Sequence, residues 1–77
     1  MSRRTNGASL AAIRKMAGIR QGALAAAAGI TGAYLSMIET KGRQPEPEVA
    51  ARIAAELGVP LDAITYPVTE TAEAVAP

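Results

Sequence analysis

Apolar residues recur along this chain at helical spacing, in four blocks separated by glycines or prolines and followed by a shorter fifth block. Within each block they lie three or four residues apart, the spacing at which side chains share one face of a helix. This pattern predicts helices over residues 9–17, 21–28, 32–40, 46–57 and 61–65. The positions expected to face a common core are Leu10, Ile13, Ala17, Leu24, Ala25, Ala28, Leu35, Ile38, Val49, Ile53, Leu57, Leu61 and Ile64. The chain is therefore expected to form one all-α domain of five helices.

A tight turn joins the second and third predicted helices. Gly29 lies where a chain leaving a helix needs a positive φ, which glycine adopts without steric cost. Thr31 can cap the following helix with its hydroxyl group, and Ser9 is assigned the same role for the first helix. Arg20, at the N-cap of the second helix, has no side chain of this capping type. Residues 21–39 thus read as a helix, a glycine turn and a capped helix.

The two ends of the chain lack this periodicity. Residues 1–7 are expected to form a flexible basic arm that carries Arg3 and Arg4, and the alternative is an arm that becomes ordered along phosphates or in a minor groove. Residues 67–77 are expected to form a flexible tail, with a short strand or dimerisation segment around Tyr66–Thr69 as the alternative. The folded domain is expected over residues 8–66.

The composition removes several classes of protein. Cysteine and histidine are both absent, which excludes disulfides and thiolate nucleophiles and removes the commonest metal ligand and general base. In a chain of 77 residues a deep active-site pocket is not expected either. The sequence therefore predicts a protein without enzymatic activity, metal or cofactor. No apolar run approaches the roughly 20 residues that span a bilayer, so a soluble, cytoplasmic protein without a membrane partner is expected.

The formal net charge of +1 conceals an uneven distribution of charge. Residues 1–45 hold seven Arg or Lys residues and one acid, a net charge of +6, whereas residues 46–77 hold one Arg and six acids, a net charge of −5. The basic half contains the two-helix unit. Such a division is expected when one end of a domain faces a polyanion, although clustering on a solvated surface would also produce it.

An ordered set of residues through the two-helix unit carries a family resemblance. It consists of Gln21, Ala25, Gly29, Leu35, Ile38 and Glu39. In this register the stretch resembles the helix-turn-helix of the lambda-repressor-like (Xre) family of phage and bacterial transcriptional regulators. The resemblance extends to both sides, through residues 14–19, 41–45 and 57–62, and covers about residues 8–66.

The resemblance implies a compact five-helix DNA-binding domain with a helix-turn-helix formed by helices 2 and 3. It implies a sequence-selective regulator that binds double-stranded DNA, of the phage or plasmid repressor type, acting as a homodimer with helix 3 in the major groove. No small-molecule ligand is evident from the sequence. The residues expected to face base edges are Thr31, Gly32, Ala33, Ser36 and Met37. Those expected to hold phosphates are Arg20, Gln21, Tyr34, Thr40, Lys41 and Arg43. The resemblance further implies a structural ion pair between Arg14 and Glu39, although Arg14 could also be a solvated cation.

Three of the base-facing positions depart from the family pattern. Gly32, Ala33 and Met37 are apolar where these repressors usually carry side chains that form hydrogen bonds with bases. Ala33 and Met37 can contact a thymine methyl group, but the centre of the helix offers no bidentate contact, so discrimination between sequences is expected to be modest or taken from DNA shape. The alternative is a helix-turn-helix domain that binds protein, such as an antirepressor, an antitoxin or a coactivator-like adaptor.

Overall fold

The computed structural model describes residues 2–68 and contains four α-helices, one 3₁₀ turn and one two-stranded sheet over that range. In chain order the elements are β1 (Ser2–Thr5), α1 (Gly7–Met16), α2 (Gln21–Ala28), α3 (Gly32–Lys41), α4 (Pro47–Leu57), the 3₁₀ turn (Leu61–Ala63) and β2 (Thr65–Val68). Within this range no single helix is long and apolar enough to cross a bilayer. The helices α2 and α3 pass that test only as a pair, and they are bent by 110° at the break between them.

The predicted fifth helix over residues 61–65 is wrong, because the chain makes a single 3₁₀ turn there and then enters β2. The turn is closed by backbone bonds from Ala63 N to Pro60 O and from Ile64 N to Leu61 O. Pro67 has no N–H group to continue a helix, and the β-branched and aromatic residues beside it suit an extended strand. The fold is therefore helical with a terminal β-ribbon.

The segment expected to be a flexible basic arm, residues 1–7, contains the whole of the other strand of this ribbon. β1 pairs antiparallel with β2 in a register that matches Ser2 with Val68 and Thr5 with Thr65. Strand β2 includes residues 67 and 68, in line with the alternative of a short strand there, while residues 69–77 of the predicted tail lie outside the described part of the chain. The folded unit thus begins before residue 8 and continues past residue 66.

The other helices start and end close to their predicted bounds. The exception is α1, which begins at Gly7 because Asn6, and not Ser9, is its N-cap. The Oδ1 atom of Asn6 accepts a hydrogen bond from the backbone N–H of Ser9 at 3.0 Å. Gly29 has φ 77°, as predicted for the end of α2.

The core is built from aliphatic side chains of all four helices and the turn before β2. Its fully buried large members are Leu10, Leu24, Leu35, Ile38, Ile53 and Ile64. Ala25 and Ala28 are also buried, and their small side chains allow the backbones of α2 and its neighbours to approach closely. Ala17, which was expected to face the core, is exposed at the C-cap of α1.

The start of α1 lies directly against the last turn of α3. A Cβ atom added at Gly7 would overlap the carbonyl oxygen of Ile38 and would lie 2.9 Å from that of Glu39. The contacting atoms belong to the backbone, so they cannot swing away as a flexible side chain could. Residue 7 must therefore be glycine for α1 and α3 to pack at this distance.

We expect Gly7→Ala to destabilise the domain by about 1–3 kcal/mol, the usual cost of overpacking a tight contact. Gly22→Ala is the matched control, because Gly22 is an exposed helical glycine whose added Cβ would meet nothing within 4 Å. The control should be neutral or stabilising by up to about 1 kcal/mol. Urea unfolding followed by circular dichroism measures both changes. Equal midpoints for Gly7→Ala and the parent would contradict the close approach.

Candidate nucleic-acid interface

The helices α2 and α3 form the bent unit around which the candidate site is built. Their 110° bend lies within the range typical of helix-turn-helix units. Thr31 caps α3 as predicted, with its Oγ1 atom accepting a hydrogen bond from the N–H of Tyr34 at 3.0 Å. On the inner side of α3, Leu35 and Ile38 are fully buried. The opposite side of α3 is therefore turned out of the core.

The residues predicted to face base edges lie at the surface of this helix. Thr31, Ala33 and Met37 are exposed, and Gly32 and Ser36 are half-buried. A Cβ atom at Gly32 would meet nothing within 4 Å, so the surface there is open to a partner. The exposed side of α3 is thus a shallow, largely apolar surface with two hydroxyl groups.

Two exposed cations lie at the end of α3. Lys41 is the last residue of the helix, and Arg43 follows in the next turn of chain; both are exposed. The guanidinium carbon of Arg43 lies 5.3 Å from the centroid of the Tyr34 ring, a cation–π arrangement that holds the guanidinium group over the aromatic face. Tyr34 thereby orients Arg43, a role that the sequence did not reveal.

Two of the residues expected to hold phosphates already form side-chain hydrogen bonds within the domain. The Nε2 atom of Gln21 donates to Glu39 Oε1 at 3.0 Å, which leaves its second amide proton for another acceptor. The hydroxyl group of Thr40 donates to the carbonyl oxygen of Ser36 at 2.7 Å. Because phosphodiester oxygens only accept hydrogen bonds, Thr40 would have to give up this bond to contact one.

The hydrogen bond from Gln21 also fixes where α2 begins relative to α3. It brings the first residue of α2 beside the last turn of α3. Arg20 immediately precedes Gln21, is exposed, and makes no side-chain capping bond. The backbone of Arg20 therefore enters α2 beside the last turn of α3, the turn that leads into Lys41 and Arg43.

A buried ion pair joins α1 to α3 behind this surface. Arg14 Nε lies 2.7 Å from Glu39 Oε2, and Arg14 Nη2 donates to Glu39 Oε1 at 3.1 Å. The two side chains are only 10% and 3% exposed. The remaining nitrogen, Nη1, donates to the carbonyl oxygen of Ile19 at 2.9 Å. Arg14 is therefore a buried structural cation and not a solvated one.

Gln44, which no sequence motif singles out, holds the loop after α3 in place. Gln44 Oε1 accepts from Thr5 N at 2.7 Å, while Gln44 Nε2 donates to the carbonyl oxygens of Thr5 at 3.2 Å and Gly42 at 3.3 Å. The loop that carries Arg43 is thus fastened to β1.

Over residues 2–68 the structure has no group of three or more Asp or Glu side chains suited to hold a metal.

Comparison with known families assigns this arrangement to a class of protein. A family model described as helix-turn-helix matches residues 10–64. The chain belongs to this family, the Xre or lambda-repressor-like helix-turn-helix proteins. No curated protein matches the chain at a significant level.

A solved structure supports the same fold and comes from a named regulator. The chain is similar to the crystal structure of ClgR, the clp gene regulator of Corynebacterium glutamicum, with 29% sequence identity and a TM-score of 0.71. The match covers 74% of this chain and 62% of the ClgR chain. This chain therefore spans less than two thirds of the length of that regulator.

Glu39→Gln should destabilise the domain by about 3–5 kcal/mol, because it leaves the guanidinium group of Arg14 buried without a counter-charge. Glu56→Gln, which neutralises an exposed acid in α4, is the control and should change stability by less than about 1 kcal/mol. Thermal and urea unfolding of both variants measure the difference. A Glu39→Gln variant as stable as the control would show that the pair behaves like an exposed one.

Proposed function

We propose that this domain is a non-enzymatic, sequence-selective regulator that binds double-stranded DNA with α3 in the major groove. The observation that carries the proposal is the grouping of exposed cations at the end of α3 around an open helix surface. Lys41 and Arg43 supply this charge, and the exposed Arg20 stands at the start of α2, which Gln21 holds beside the same turn. The one acid of the first 45 residues, Glu39, is buried and neutralised by Arg14. The helix α3 therefore presents no exposed carboxylate of its own to a polyanion that approaches these cations.

Apart from Glu39, the acids of the described chain all follow residue 45. They are Glu46, Glu48, Glu56 and Asp62, all of them exposed. A phosphate backbone would attract the exposed cations around α3 and repel the exposed acids of α4, whereas Asp62 is paired with Arg3. In the proposed complex Lys41 and Arg43 hold phosphates after α3, and Arg20 and Gln21 hold them at the start of α2, where backbone N–H groups also point outwards.

Base recognition in this proposal is mainly apolar. Ala33 and Met37 would contact thymine methyl groups, while Thr31 and Ser36 would form single hydrogen bonds with base edges. Met37 is 38% exposed, and its unbranched side chain adapts to different surfaces. No bidentate pairing is available from these residues, so each contact discriminates weakly and DNA shape contributes part of the selectivity.

The proposal extends to a symmetric homodimer of the phage or plasmid repressor type, acting in the cytoplasm of a bacterial or phage-infected cell. Two copies would place their α3 helices in successive major grooves, about 34–36 Å apart. The small recognition surface of one copy supports this arrangement, since two weakly selective half-sites combine into one selective operator.

A second candidate function is recognition of a protein partner through α3. The apolar character of Ala33 and Met37, together with the half-buried ring of Tyr34, favours it. An antirepressor, an antitoxin or an adaptor of this kind would bury that surface against another protein. Its binding would depend weakly on salt, in contrast to DNA binding.

We expect Arg43→Gln to weaken binding to every duplex alike and to reduce the slope of log K against log salt by about 1, because one phosphate contact is lost. Met37→Ala should instead leave the slope unchanged and alter the order of preference among sites. Fluorescence anisotropy on duplexes enriched from a random pool, and on the unselected pool, measures both quantities.

The two variants serve as controls for each other. A change of site preference in Arg43→Gln with a uniform loss in Met37→Ala would contradict the assigned roles. Binding of a protein partner, with no retention of random duplex DNA by the parent, would favour the second candidate function over the first.

A further inference from the structure

Two adjacent arginines in β1 have different surroundings. Arg3 is engaged within the ribbon, since its Nε atom donates to Thr65 Oγ1 at 2.8 Å and its Nη2 atom lies 2.7 Å from Asp62 Oδ1. For Arg4, by contrast, no carboxylate of residues 2–68 lies within salt-bridge distance. Adjacent residues of a strand point to opposite faces of the sheet, which accounts for the difference.

Arg4 lies next to the loop that follows α3. It is exposed, pairs across the ribbon with Tyr66, and lines an open groove together with Gly42 and Gln44. These two loop residues flank Arg43 in the sequence. The groove therefore connects the face of the ribbon that carries Arg4 with the basic loop at the end of α3.

The ribbon is held in place against this loop by the amide group of Gln44. That amide accepts from the N–H of Thr5 and donates to the carbonyl oxygens of both Thr5 and Gly42. Arg4 directly precedes Thr5, so its backbone is fixed relative to the loop that carries Arg43 and follows Lys41. Arg4 and the cation of this loop, Arg43, thus belong to segments that are fastened to each other.

The same hydrogen bonds oppose a different use of the ribbon, the addition of a strand from a second copy. Gln44 already occupies the N–H and C=O groups of Thr5 that a new strand would need on β1. On β2, Pro67 has no N–H group to offer. Both strands are therefore poor templates for further pairing. A contact through the face of the ribbon that carries Arg4 is not restricted in this way.

We propose that Arg4 makes a further phosphate contact with duplex DNA, on the backbone next to the segment held by Lys41 and Arg43. This inference rests on the proposed function and extends its footprint from the helix-turn-helix to the β-ribbon. The partner is the sugar-phosphate backbone, because Arg4 is a charged donor at a surface edge, outside the helix that would read bases. The ribbon is already ordered in the free domain, so its backbone loses little conformational entropy when Arg4 binds a phosphate.

The test compares Arg4→Gln with Arg3→Gln, its matched neighbour in the same strand. The salt dependence of binding to random-sequence duplex DNA is measured for the parent and both variants, and thermal melts verify that all are folded. Loss of one phosphate contact in Arg4→Gln should reduce the slope of log K against log salt by about 0.9. Between about 50 and 200 mM salt its affinity should therefore fall about 3.5-fold less than that of the parent. Arg3→Gln should retain the parental slope.

Arg4→Lys provides a second variant, because it retains the charge while changing the shape of the side chain, and it should restore the parental slope. A parental slope in Arg4→Gln, or an equal reduction in Arg3→Gln, would overturn the contact while leaving the proposed function intact. A parent that binds DNA without salt dependence would instead refute the proposed function itself.

Discussion

The geometry of this domain depends on one buried ion pair, between Arg14 of α1 and Glu39 in the last turn of α3. The guanidinium group reaches both carboxylate oxygens and the carbonyl oxygen of Ile19, and Gln21 adds a fourth hydrogen bond to the same network. These contacts join α1, the connection to α2, the start of α2 and the end of α3. A buried pair of this kind adds little net stability, but removal of either partner is costly. We infer that its role is to hold α3 at one position relative to α1 and α2.

The interaction also shapes the electrostatics of the surface in front of it. Glu39 would be the one negative charge of the basic half if it were exposed, and its burial against Arg14 removes that charge from the surface. Gly7 contributes to the same arrangement, since it lets the start of α1 approach the carbonyl groups of the last turn of α3. Structure and charge at the end of α3 are therefore determined by the same few contacts.

The parts of this fold that sequence could predict are those governed by local rules. The bounds of α2 follow from helical spacing and from the positive φ of Gly29, and the start of α3 follows from its cap, Thr31. The β-ribbon could not be predicted in this way, because it pairs segments 60 or more residues apart in the chain. Its strands are too short to show a clear alternation, and the side chain of Gln44 that fastens it carries no recognisable motif.

The candidate site also has features that the sequence could predict and features that it could not. The exposure of the outer face of α3 follows from the burial of Leu35 and Ile38, so periodicity was sufficient to predict it. The engagement of Gln21 with Glu39 and of Thr40 with Ser36 depends on tertiary contacts or rotamers that a sequence does not specify. The stacking of Arg43 on Tyr34 was missed for the same reason.

The central claim is that the contacts around Glu39 present the outer face of α3, and the cations beside it, to duplex DNA. The most direct test is an NMR titration of the labelled domain with an enriched duplex, following the backbone amide signals. The account predicts the largest changes at residues 31–37 and 41–44, with little change at the exposed Ala51 and Ala55 of α4. Changes concentrated on α4, or none at α3, would contradict it.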